Sequence, residues 1–104
     1  MKVFISQRAE EDLARIYATI VHDRPLVAEV FKAAANESLA VLGRHPEIGP
    51  RVGFRTRHKG LRFWPVSGYH NYLIYYLLGE AHVSIERILD GRRDVRRVLR
   101  TGEV

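Results

Sequence analysis

The stretch NYLIYYLL, residues 71–78, constrains the fold more than any other part of the chain. It is almost continuously apolar and β-prone, and it falls far short of the roughly 20 residues that a membrane helix needs. A strand with no polar face must be covered on both sides, so it is expected at the centre of a sheet. SGYH before it and GEAH after it read as turns. Its partners in an antiparallel meander are then LRFWPV (61–66) and VSIERILD (83–90). Pro65 lacks an N–H to give to a ladder, which assigns its strand to an edge or a bulge.

The first half of the chain reads differently. KVFI (2–5) is a short strand, and Ser6 is placed to cap a helix whose first turns carry Glu10, Glu11 and Asp12. Ala9, Leu13, Ile16, Tyr17 and Ile20 fall on one helical face. Asp23-Arg24-Pro25 ends this helix and starts a second, whose apolar face is Val27, Phe31, Ala34, Ser38/Leu39 and Leu42. Gly43 is the expected C-terminal cap, with Pro46 confirming the stop. Residues 45–60 are rich in Gly, Pro and Arg, with a short edge strand expected near 52–56. The tail after Gly91 reads as one short helix burying Val95, Val98 and Leu99. The order is β-α-α-β-β-β with a final α. The expected fold is α+β, a curved antiparallel sheet with an N-terminal helical hairpin on one face. Residues 1–104 form one expected domain.

Composition narrows the function. Residues 1–50 carry six Lys/Arg against seven Asp/Glu, and residues 51–104 carry eleven against five. Arg supplies 14 of the 17 basic residues, and its planar fork suits carboxylates and phosphates. Four arginines, Arg92, Arg93, Arg96 and Arg97, lie within six residues of one another. The chain has no cysteine, which removes disulfides, cysteine zinc sites and thiol catalysis. Its start turns acidic before a signal-peptide core forms, so a cytoplasmic location is expected. The five histidines show no metal-ligand spacing, and no cofactor is expected. No nucleophile or phosphate-loop motif is present.

Two arginines break the strand pattern. Arg87 shares its parity with Val83, Ile85 and Leu89, and Arg62 with Trp64 and Val66. An unpaired buried charge is costly. Either these side chains line a cleft for phosphate or carboxylate, or they pair with an internal acid such as Glu86, or they reach the sheet rim. The aromatic residues around them, including Tyr75 and Tyr76, read mainly as core.

The helix start AEEDL, the helix end LGRHPEIG and the close IERILDGRRD, in this order, resemble the ParE branch of the RelE/ParE superfamily of bacterial type II toxins. The likeness covers nearly the whole chain. It implies a partner antitoxin, here ParD-like, in a toxin–antitoxin hetero-oligomer. ParE-type relatives are held to inhibit DNA gyrase and RelE-type relatives to cleave mRNA on the ribosome. On the first reading, Arg87, Arg92, Arg93, Arg96 and Arg97 are the expected target contacts, with Arg62, Trp64 and Arg87 facing the antitoxin. On the second, Arg62 and Arg87 would clamp phosphate with His58 and Lys59 beside them. The segment after Asp90 has no Tyr, His or Lys to move protons, which favours the gyrase reading. Asp90 stands where the family commonly has His, and it is suited to capping a turn. No helix-turn-helix is visible and the longest helices lie in the acidic half, so the lone chain is not expected to bind nucleic acid directly.

Overall fold

The computed structural model describes residues 1–102; the last two positions of the expected domain lie outside the described residues. Seven elements follow in order: β1 Lys2–Ile5, α1 Gln7–Asp23, α2 Pro25–Arg44, β2 Arg62–Val66, β3 Tyr69–Leu78, β4 His82–Asp90 and α3 Val95–Thr101. The sheet order is β1-β4-β3-β2, so β3 is central as its apolar run requires. β2, β3 and β4 form the antiparallel meander. β1 departs from the expected antiparallel pattern, because it pairs with β4 in parallel and makes the sheet mixed. The helical hairpin carries the chain across one sheet face from β1 to β2, which leaves β1 beside the last strand and running the same way.

Local chemistry sets the ends of the elements. The Ala9 N–H donates to Ser6 Oγ at the start of α1, and Pro25 opens α2 after the single linking residue Arg24. Gly43 does not cap α2. It lies inside the last turn, and a Cβ there would sit 3.0 Å from the Met1 carbonyl oxygen, so glycine lets β1 pass close to the helix. The edge strand expected near 52–56 is also absent. Only an isolated bridge joins Arg51 to Arg62, and the chain beyond it turns Val52 and Phe54 inward instead of extending the sheet.

The alternation of β3 divides the core. Ile74 and Tyr76 face α1 and α2, where they meet Ile16, Phe31, Leu39, Leu42, Val83 and Ile85. Tyr75, Leu73 and Leu77 face the other way, toward Leu61, Leu99 of α3, Val52 and Phe54. Pro65 lies on edge strand β2 at a register shift, as its missing N–H demands. A second shift lies in β4, where Tyr75 pairs with Arg87 and Tyr76 with Ile85, leaving Glu86 as an extra residue. This bulge overturns the expected parity. Ile88 joins Val83 and Ile85 on the helix side, and Leu89 crosses to the α3 side.

Candidate functional site

β1 pairs with β4 only as far as Ile85, so the second half of β4 has no strand on its outer side. The start of α1 covers part of that edge. Ser6 donates its N–H to the Ile85 carbonyl at 3.0 Å and its hydroxyl to the Glu86 carbonyl at 3.0 Å. Asp12 then takes the place of a strand, accepting the Ile88 N–H at 2.9 Å. The same carboxylate accepts Arg87 Nε at 2.8 Å and Nη2 at 2.9 Å, and Arg15 closes the cluster on Oδ1. Asp12 is 1% exposed and Arg87 8%. A bidentate pair with every acceptor used is the geometry in which a buried charge is tolerated.

The internal partner of Arg87 is therefore Asp12 and not the suggested Glu86. The signal was in the sequence: Asp12 falls three residues after Ala9 and four before Ile16, an acid on an apolar helical stripe. Glu86 turns to the other side, where its Oε1 lies 3.3 Å from His58 Nε2.

Beyond the Asp12 cover, α1 and α3 stand apart and leave a groove of about 550 Å³ along the β4 edge. Ile16, Tyr72, Ile88, Leu89, Val95 and Val98 give it an apolar floor, and Arg15, Arg93 and Arg97 stand at its rim. Asp90 caps the turn below it, as expected. Its carboxylate accepts the Arg92 N–H at 2.9 Å and the Arg92 guanidinium at 3.0 and 2.9 Å. The Arg92 hydrogen bond, helped by the charges of Arg92 and Arg93, holds the Asp90 carboxyl below its ordinary range, and partial burial opposes this. Arg92 is thus committed to its own turn. Arg97 leans toward Asp94, the N-cap of α3, at 3.7 Å, and Arg93 is exposed.

The remaining expected site residues do not gather here. Arg62 lies on the far edge strand and donates to the Gly49 carbonyl at 2.8 Å. Tyr76 reaches the same loop, accepting the Gly49 N–H at 2.9 Å and donating to the Pro46 carbonyl at 2.8 Å. Gly49 is required there, because a Cβ would come within 2.3 Å of the Phe63 carbonyl oxygen. The HPEIG segment is thus pinned to β2 and β3, and Arg62 helps to pin it. Trp64 is half-buried against the helix-side core. Arg62 and Arg87 sit on strands separated by β3, roughly 10 Å apart at two strand spacings.

His58 does approach Arg87. Both line a smaller cleft of about 140 Å³ with Arg8, Arg57 and Glu86, whereas Lys59 is exposed on the loop beside it. Tyr75 offers no acid–base group, because burial pushes its phenol up to about 12. Among the described residues no cluster of three His, Asp or Glu side chains is placed to hold a metal ion. No helix among them is long and apolar enough to cross a membrane.

A search of curated proteins returns no match. Among solved structures, the chain is similar to one described as "Chromosomal ParDE TA system from P. aeruginosa". The TM-score is 0.69 at 19% identity, covering 85% of this chain and 92% of that one, so this likeness is one of fold. A family model described as "ParE toxin of type II toxin-antitoxin system, parDE" matches residues 3–95. This span runs from β1 through the β4 edge and its groove to the first residue of α3, and the chain belongs to the ParE toxin family of type II toxin–antitoxin systems.

Proposed function

We propose that this chain arrests bacterial growth in the cytoplasm by binding DNA gyrase, and that a ParD-like antitoxin silences it by occupying the β4 groove. The observation that carries this reading is the groove itself. An apolar floor with Arg15, Arg93 and Arg97 at its rim fits an amphipathic segment bearing acids, and the open β4 edge suits an extended backbone. The gyrase target rests on family membership. It is supported by the placement of the clamp residues, since Arg62 and Arg87 do not converge on one phosphate. Of the expected contacts, Arg93, Arg96 and Arg97 are exposed for a target, whereas Arg87 and Arg92 are held by Asp12 and Asp90.

One observation favours a second reading, a ribosome-dependent endoribonuclease. His58 is paired with Glu86 in a cleft that also holds Arg57 and Arg87, a base beside cations. Induced expression of the lone chain separates the two. The gyrase reading expects blocked replication, filaments and DNA-damage signalling with intact transcripts. Rapid cleavage of translated mRNA, abolished by His58→Ala, would replace it with the nuclease reading.

A further inference from the structure

The sequence places two basic segments far apart, at 51–59 and 92–100, and the fold joins them into one surface. From Arg51 to Arg57 exposure alternates strictly. Val52, Phe54 and Thr56 turn inward, and Arg51, Arg55 and Arg57 turn out. Val52 and Phe54 share a cluster with Leu99 of α3. The Arg57 N–H donates to the Leu99 carbonyl at 2.7 Å. Its guanidinium lies against Gly102, where a Cβ would come within 2.4 Å of it. From the helix side, the Arg96 guanidinium sits over the Phe54 ring at 4.8 Å. Arg100 follows Arg96 by one turn on the same outward face.

The resulting face presents Arg51, Arg55, Arg57, Lys59, Arg96 and Arg100. Among the described residues, none of these six forms an ion pair with an acid. That contrasts with Arg15, Arg44, Arg87, Arg92 and Arg97, each of which has one. The face also lacks the anchors of a protein interface. Among the described residues, the exposed large apolar side chains are Met1 just before β1, Phe4 on β1, Leu26 and Val30 on α2, and Ile48 in the loop after α2. Of the rings on the basic face, Phe54 is covered by Arg96 and the His58 imidazole is engaged by Glu86, which leaves no free platform on which unpaired bases could stack. Unpaired cations without apolar anchors or a stacking surface match a duplex phosphate backbone better than an acidic protein or a single strand.

We infer that the surface formed by residues 51–59 and α3 binds the phosphate backbone of duplex DNA without reading its sequence. This site is separate from the β4 groove and does not depend on which target the toxin has. The test is fluorescence anisotropy of the full chain with a mixed-sequence duplex of about 20 base pairs, between about 50 and 200 mM salt. Four to six phosphate contacts predict a log–log salt slope of about −4 to −5. Reversing two charges on the face, Arg55→Glu with Arg100→Glu, should weaken binding by about tenfold or more and flatten the slope by about two. Reversing two on the helical hairpin, Arg24→Glu with Lys32→Glu, should change it by no more than about threefold, the general effect of lower net charge. Equal losses from the two pairs would overturn the proposal. So would an absence of salt-dependent binding by the folded wild type, tighter binding of single-stranded RNA, or equal affinity for labelled polyglutamate.

Discussion

Arg87 and Arg96 lie nine positions apart and do opposite jobs. Arg87 is buried, and Asp12 takes two of its nitrogens while also accepting the Ile88 N–H on the outer side of β4. Arg96 stands in solvent over Phe54, with no acid partner among the described residues. An arginine that breaks a strand pattern invites a functional reading, yet here the misplaced charge holds the fold and the ordinary-looking one is free for a partner. Burial decides between them, because desolvating a guanidinium without a counter-charge costs far more than leaving it in water.

The contrast between the two arginines depends most on Asp12. Asp12→Ala strands Arg87 and the Ile88 N–H together, and it should cost about 3–5 kcal/mol, read by urea unfolding. A loss below about 1 kcal/mol would mean the ion pair is an ornament of the edge. Next in size is Tyr76→Phe, which removes the hydroxyl holding Gly49 and Pro46. Leaving those loop groups unmatched should cost about 1–3 kcal/mol by the same measurement. Arg62 and the Phe63 N–H bond to the Pro50 carbonyl would then have to keep the HPEIG segment in place.

Asp90→Asn should have a smaller effect, about 0.5 kcal/mol at neutral pH, because Arg92 is largely exposed. The sign follows from the depressed Asp90 carboxyl. Its contribution is present above the unfolded value of 3.8 and is lost as pH falls through the lower folded value. The gap between wild type and variant should therefore close as acid unfolding is followed below about pH 4. A gap that widened there would contradict the Arg92 pairing. At the far end, Arg93→Glu with Arg97→Glu should shift stability by no more than about 0.5 kcal/mol, since both side chains lie in solvent.

Much of this arrangement could be read from local chemistry. The unbroken apolar run put β3 at the sheet centre, Ser6 and Pro25 marked the helix starts, and Asp90 was recognisable as a turn cap. What stayed hidden depends on contacts between distant residues. The Asp12–Arg87 pair spans 75 positions, and the sequence around Asp12 fits a helix-dipole charge as well as a buried acid on the apolar stripe. The Glu86 bulge leaves no trace in periodicity, so parity beyond it was assigned to the wrong faces. Exposure in 51–57 alternates as in a strand, but it serves packing against α3 and not the edge strand expected near 52–56. Hidden with it was the union of the two basic segments into one face.

The most direct test of this division of labour is a supercoiling titration with purified gyrase, comparing the wild-type chain with the Arg93→Glu, Arg97→Glu variant. Wild type is expected to block supercoiling, and the variant to need at least about tenfold more protein while unfolding at nearly the same temperature. Equal inhibition by the two proteins would move the contact away from the exposed arginines. Failure of the folded wild type to inhibit at all would remove gyrase as the target.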